Sequence, residues 1–104
     1  MTTIRTVEVL YWDGCPSHEE AIERVRSVLD ERGSTAELVI REVTSDEEAE
    51  ALHFPGSPTI RVDGRDVDSV GAAARSALTC RIYRSEDGRV SPLPSHKQIR
   101  DALR

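Results

Sequence analysis

The chain has 104 residues, 38% of them hydrophobic and 32% charged, with a formal net charge of −5. This length and balance suit one folded domain over residues 1–104 and leave no room for a second core. The acidic excess, and an aromatic content of one Trp, two Tyr and one Phe, argue against nucleic acid as a partner. No apolar run is long enough to span a membrane, and no signal-peptide pattern precedes the first strand-like segment. Two cysteines, Cys15 and Cys80, are too few for a disulfide scaffold, so the expected setting is cytoplasmic, with a thiol kept for chemistry or for packing.

In chain order, residues 6–11 (TVEVLY) are β-branched and aromatic, with apolar groups on both faces, as in a strand at the middle of a sheet. Asp13-Gly14 turns the chain, and Cys15-Pro16 opens a helix, with Cys15 as N-cap and proline at the first helical position. Ala21, Ile22, Val25, Val28 and Leu29 form its apolar stripe, and Gly33 ends it. Residues 36–43 (AELVIREV) alternate as a second strand. Ser45 with Glu48 is a capping-box pattern for a short helix that buries Ala49 and Leu52. Residues 53–57 are irregular, and residues 58–62 (PTIRV) form a third strand. Asp63-Gly64 is a two-residue hairpin turn, returning through residues 65–67. Residues 68–79 carry no clear period, residues 80–84 (CRIYR) read as a strand, and residues 86–94 as a turn-rich connection. Ser95 with Gln98 is a second capping box, and Ile99, Ala102 and Leu103 form the stripe of the last helix. The order is β-α-β-α-β-β-α, an α/β arrangement whose first two strands are parallel with a right-handed crossover.

The chemistry concentrates at Trp12-Asp13-Gly14-Cys15-Pro16-Ser17-His18. A thiol that follows a central strand and caps a helix gains thiolate character from the free helical N–H groups and the dipole. His18 follows on the same side of the first turn, where an imidazolium would add to that effect. The plainer reading is a cysteine that merely caps a helix beside a solvated histidine. Gly56-Ser57-Pro58-Thr59 opens the third strand with a candidate cis peptide bond.

With these anchors the chain resembles the thioredoxin superfamily, in particular small bacterial thioredoxin- or glutaredoxin-like proteins. Trp12 and Cys15 match the aromatic residue and first cysteine of the family motif, and Pro58 matches its cis-proline. The resemblance implies a central mixed four-stranded sheet in the order 2-1-3-4, flanked by helices. It implies a substrate groove formed by Trp12, Pro16, Ser57, Pro58 and Thr59, where the Ser57 backbone pairs with an extended peptide or thiol ligand. The Cys-Pro-Ser-His motif departs from Cys-x-x-Cys, because His18 stands where the family has its second cysteine. That departure points to a single reactive thiol, Cys15, in thiol-disulfide exchange, with a protein or small-thiol disulfide as substrate. The leaning is toward a monothiol oxidoreductase-like activity with no resident cofactor, using glutathione or an equivalent small thiol.

Cys80 is either a resolving thiol for Cys15 or a packing cysteine at a strand start, and packing is the commoner case. Two further readings stay open: a non-catalytic module that binds a peptide or partner protein in the same groove, and soft-metal, mercury-type capture by Cys15 and Cys80. Cys15 and His18 supply only half of a tetrahedral metal site, so no metal site is assigned. His53 and His96 read as a helix-end and a surface residue, and the acidic run at 46–50 as a solvated helix face.

Overall fold

The structure is a computed structural model that describes residues 5–85 and 87–104, with the backbone alone for Val70. Glu86, where the sequence begins a turn-rich connection, lies outside the described residues. The sheet consists of β1 (Thr6–Tyr11), β2 (Glu37–Glu42), β3 (Thr59–Val62) and β4 (Arg65–Asp66), in the order β2-β1-β3-β4. β1 runs parallel to β2 and antiparallel to β3, which makes it the central strand that its two-faced apolar pattern requires. β3 and β4 form an antiparallel hairpin across Asp63-Gly64, both at positive φ as a type I′ turn demands.

Because strand side chains alternate between faces, Val7, Val9, Ile60 and Val62 point one way. They meet Ala21, Val25, Val28 and Leu29 of α1 (His18–Glu31), and Ile99 of α4 (His96–Ala102) with Leu103 just beyond it, in the larger core cluster. The α1 C-terminus is closed by Gly33 N–H donating to the Asp30 carbonyl and Ser34 N–H to the Leu29 carbonyl, the paired bonds of a Schellman ending. At α4, Ser95 Oγ accepts from Gln98 N–H while the Gln98 side chain accepts from Ser95 N–H, a complete capping box. At α2 (Asp46–Ala51) Ser45 Oγ accepts from Glu48 N–H, but the Glu48 carboxylate reaches Thr44 N–H, one residue before the cap.

The opposite face carries Leu10, which joins Val43, Ala49 and Phe54 in a smaller cluster, with Trp12, Leu52 and Leu78 packed against it. Beyond β4 come a single helical turn, α3 (Ser69–Ala72), and a separate two-stranded sheet of β5 (Tyr83–Arg84) and β6 (Val90–Ser91). Two sequence boundaries need correcting. The strand expected over 80–84 forms regular pairing only at Tyr83–Arg84, because Cys80 makes instead an isolated parallel bridge to Ser57. β6 lies within the segment read as turns.

Candidate functional site

The turn after β1 holds Cys15 three residues ahead of the first helical residue. Its N–H donates to the Trp12 carbonyl at 3.0 Å, which closes the turn. Cys15 is therefore not the N-cap: Ser17 takes that position, its carbonyl accepting from Ala21 N–H, and α1 begins at His18. The Cys15 carbonyl would accept a helical N–H if Cys15 were the cap; it is held by His18 Nδ1 at 3.1 Å. The same imidazole stacks on Tyr11, with ring centroids 4.2 Å apart. His18 thus grips the backbone of the turn and the end of β1 and makes no hydrogen bond to Cys15 Sγ.

Gly14 is shaped by Trp12. A Cβ at position 14 would lie 2.3 Å from the indole, so only glycine lets the ring fold across the turn. The indole in turn covers the smaller core cluster. Pro16 is exposed, while Pro58 and Thr59 are buried.

Cys15 is 2% exposed and Cys80 is exposed. The two are joined in a disulfide with a Cα–Cα distance of 5.6 Å, across 65 residues of sequence. The commoner expectation for Cys80, a thiol that packs at a strand start, gives way to a partner for Cys15. Cys15 Sγ also lies 3.7 Å from the Ser57 carbonyl oxygen and 3.9 Å from Ser17 Oγ. The Ser57-Pro58 bond is cis. Ser57 itself is fully buried: its hydroxyl accepts from Trp12 N–H at 3.0 Å, its own N–H donates to the Thr79 carbonyl at 2.7 Å, and its carbonyl accepts from Arg81 N–H at 2.8 Å. The backbone edge expected to receive a ligand is occupied by residues 79–81 of the same chain.

The residue that fixes this segment went unnoticed in the sequence. Arg81 turns inward, 4% exposed, and forms a two-pronged ion pair with Asp66 at 2.7 and 2.8 Å. It also donates to Thr59 Oγ1 at 3.2 Å and to the Asp68 carbonyl at 3.1 Å, and its guanidinium lies 4.4 Å from the centre of the Tyr83 ring. Among the described residues its Nε is buried without a partner. Burial opposes the Arg81 charge, but the Asp66 hydrogen bonds, with Asp66 and Asp68 as charged neighbours, outweigh it and hold the group above its usual value. Burial pushes the Tyr83 hydroxyl well up against the pull of Arg81, and that hydroxyl donates to the Pro58 carbonyl. The signal that could have found Arg81 is the period of two in CRIYR: Arg81 and Tyr83 share one face, while Ile82 on the other is 68% exposed.

A cleft of about 740 Å³ is lined by Arg5, Asp63, Arg65, Asp66, Gln98 and Arg104, among others, and includes neither cysteine. Among the described residues no group of three or more His, Cys, Asp or Glu side chains is placed to hold a metal ion, and no helix is long and apolar enough to cross a membrane. No family model matches the chain, and neither a curated protein nor a solved structure does.

Proposed function

We propose that the protein is a thioredoxin-like thiol-disulfide exchange protein whose working unit is the Cys15–Cys80 pair. The observation that carries this reading is the disulfide itself, which joins a buried cysteine at the end of the central strand to an exposed one. Support for the thioredoxin-like part comes from the sheet order and from Ser57-Pro58 opening β3 beside the thiol. A second thiol at position 18 is not required, because Cys80 supplies it from across the fold.

An external thiolate attacks Cys80 Sγ, forming a mixed disulfide and expelling Cys15 as thiolate. A second external thiolate attacks the external sulfur of that mixed disulfide and releases Cys80. Two external thiols become one disulfide, and their two protons pass to Cys15 and Cys80. The reverse sequence oxidises the protein at the expense of a substrate disulfide, with Cys80 as nucleophile and Cys15 as resolving thiol. His18 holds the Cys15 turn in place and orients its backbone.

The competing use of such a bond is a staple. Closing a loop over 65 residues restrains the unfolded chain by about 4 kcal/mol in the loop-entropy account. Equilibration in graded ratios of reduced to oxidised glutathione, followed by alkylation and weighing of the protein, separates the two. Exchange predicts one reversible two-electron midpoint with the far-ultraviolet dichroism unchanged. A disulfide that opens only when the chain unfolds overturns the reading. The meeting of the two sulfurs also favours a second use of the reduced pair, as two thiolates for a soft metal ion. Mercury(II) binding to the reduced protein at one ion per chain, lost in Cys80→Ser, would establish that use.

A further inference from the structure

An extended peptide that presents a cysteine to Cys15 would pair with the backbone N–H and carbonyl beside the sulfur, and these belong to Ser57. Its carbonyl oxygen is 3.7 Å from Cys15 Sγ. Pairing of that kind adds a strand to a sheet edge, and its main-chain hydrogen bonds supply the affinity. Here the Ser57 N–H is given to Thr79 and its carbonyl to Arg81, in a parallel bridge centred on Cys80. The chain has filled its own recognition edge, with its own cysteine where a substrate cysteine would stand.

Contacts other than the disulfide also hold this segment in place. Ala77 N–H donates to the Phe54 carbonyl, Leu78 packs against the smaller cluster, and Arg81 is bound to Asp66, Thr59 and Asp68. Gly56 admits the segment at close range: a Cβ there would lie 3.0 Å from Arg81 Cβ and 3.2 Å from its backbone. None of these contacts involves either sulfur, so breaking the disulfide removes none of them directly. We infer that the pair, read as a redox pair, acts on low-molecular-weight thiols and disulfides reached at Cys80, and that the self-filled Ser57 edge, locked by Arg81, withholds strand pairing from polypeptide substrates.

Two mixed disulfides of thionitrobenzoate test this, one with cysteamine and one with an extended cysteine peptide. The reduced protein attacks each, Cys80 takes the cysteamine or peptide sulfur and thionitrobenzoate leaves; Cys15 then attacks Cys80 Sγ, closing the internal disulfide and releasing the cysteamine or peptide as thiolate. Rates are divided by those of free cysteine with the same probe, which removes intrinsic reactivity. The peptide should show no advantage over cysteamine in the wild type. A peptide faster by about tenfold or more, the worth of two backbone hydrogen bonds, overturns the inference. Reaction with neither probe overturns the redox reading on which it rests, a distinct result. Amide exchange of the reduced protein supplies a readout that needs no variant. The Ser57 and Arg81 amides should stay protected within about threefold of their oxidised values, because their partners persist. Loss of that protection on reduction overturns the inference as well.

Discussion

The two faces of the sheet are built on different physics. One is covered by α1 and α4 through a core cluster of buried Val, Ile, Leu and Ala side chains. The other holds a small apolar cluster and, beside it, a segment tied down by one buried guanidinium and one disulfide. Loss of a methyl group from the first face leaves a small cavity that neighbours share. Loss of one partner from the second leaves an uncompensated charge. The disulfide sits with the second face, where position is set largely by directional bonds.

The largest separation should come from Arg81→Leu. It strands the Asp66 carboxylate, which is only 6% exposed, and should cost about 3–5 kcal/mol in denaturant unfolding, as removal of one member of a buried pair does. The same variant should abolish the protection of the Ser57 amide. An Arg81→Leu protein of wild-type stability would mean that the segment is held by packing, and the contrast between faces would fail. Gly14→Ala comes next. The added methyl meets the Trp12 indole, so the ring must shift, at a cost of about 1–3 kcal/mol. Trp12 is the chain's one tryptophan, and its emission should move to longer wavelength as the ring leaves the cluster. On the apolar face, Ile60→Val should cost only about 1 kcal/mol, with the disulfide midpoint unmoved.

The smallest effect concerns acid. Asp63 accepts from Thr6 N–H and from Arg5, and these hold its carboxyl below the usual range. A folded value below the unfolded one stabilises the protein above the unfolded pKa of about 3.9, and the gain is lost as pH falls through the folded value. Asp63→Asn should therefore lower stability slightly near neutrality and flatten the acid limb of the unfolding curve below about pH 4. An acid limb that matches wild type would remove Asp63 from the account.

Legibility in the sequence followed the same division. The Asp63-Gly64 hairpin, the Ser95–Gln98 box and the stripes of α1 and α4 were legible because each rests on short-range spacing or turn chemistry, whereas the sheet order came only from the family resemblance. The start of α1 was misplaced by a local rule. Proline favours a first helical turn, but the Cys15 carbonyl went to the His18 ring, a side-chain contact that propensity does not encode. Residues 68–79 carried no clear period, and the strand expected over 80–84 gave no sign of its partners, because what organises it is distant in sequence: Asp66 for Arg81, Ser57 and Cys15 for Cys80, Pro58 for Tyr83. Average hydrophobicity would even have turned Ile82 inward and Arg81 outward, the reverse of what is found.

The claim that the two cysteines form one exchanging pair, attacked first at Cys80, is tested most directly by trapping the mixed disulfide. Reduced Cys15→Ser and Cys80→Ser proteins are each exposed to oxidised glutathione, quenched with acid at intervals and weighed. The account predicts that Cys15→Ser gains one glutathione on Cys80 at close to the wild-type rate of oxidation and keeps it, since no second thiol can expel it. Cys80→Ser, whose remaining thiol is buried, should take up glutathione at least about tenfold more slowly. Rapid modification of Cys15 in Cys80→Ser, with an inert Cys80 in Cys15→Ser, would contradict the account and return the nucleophile to the turn after β1.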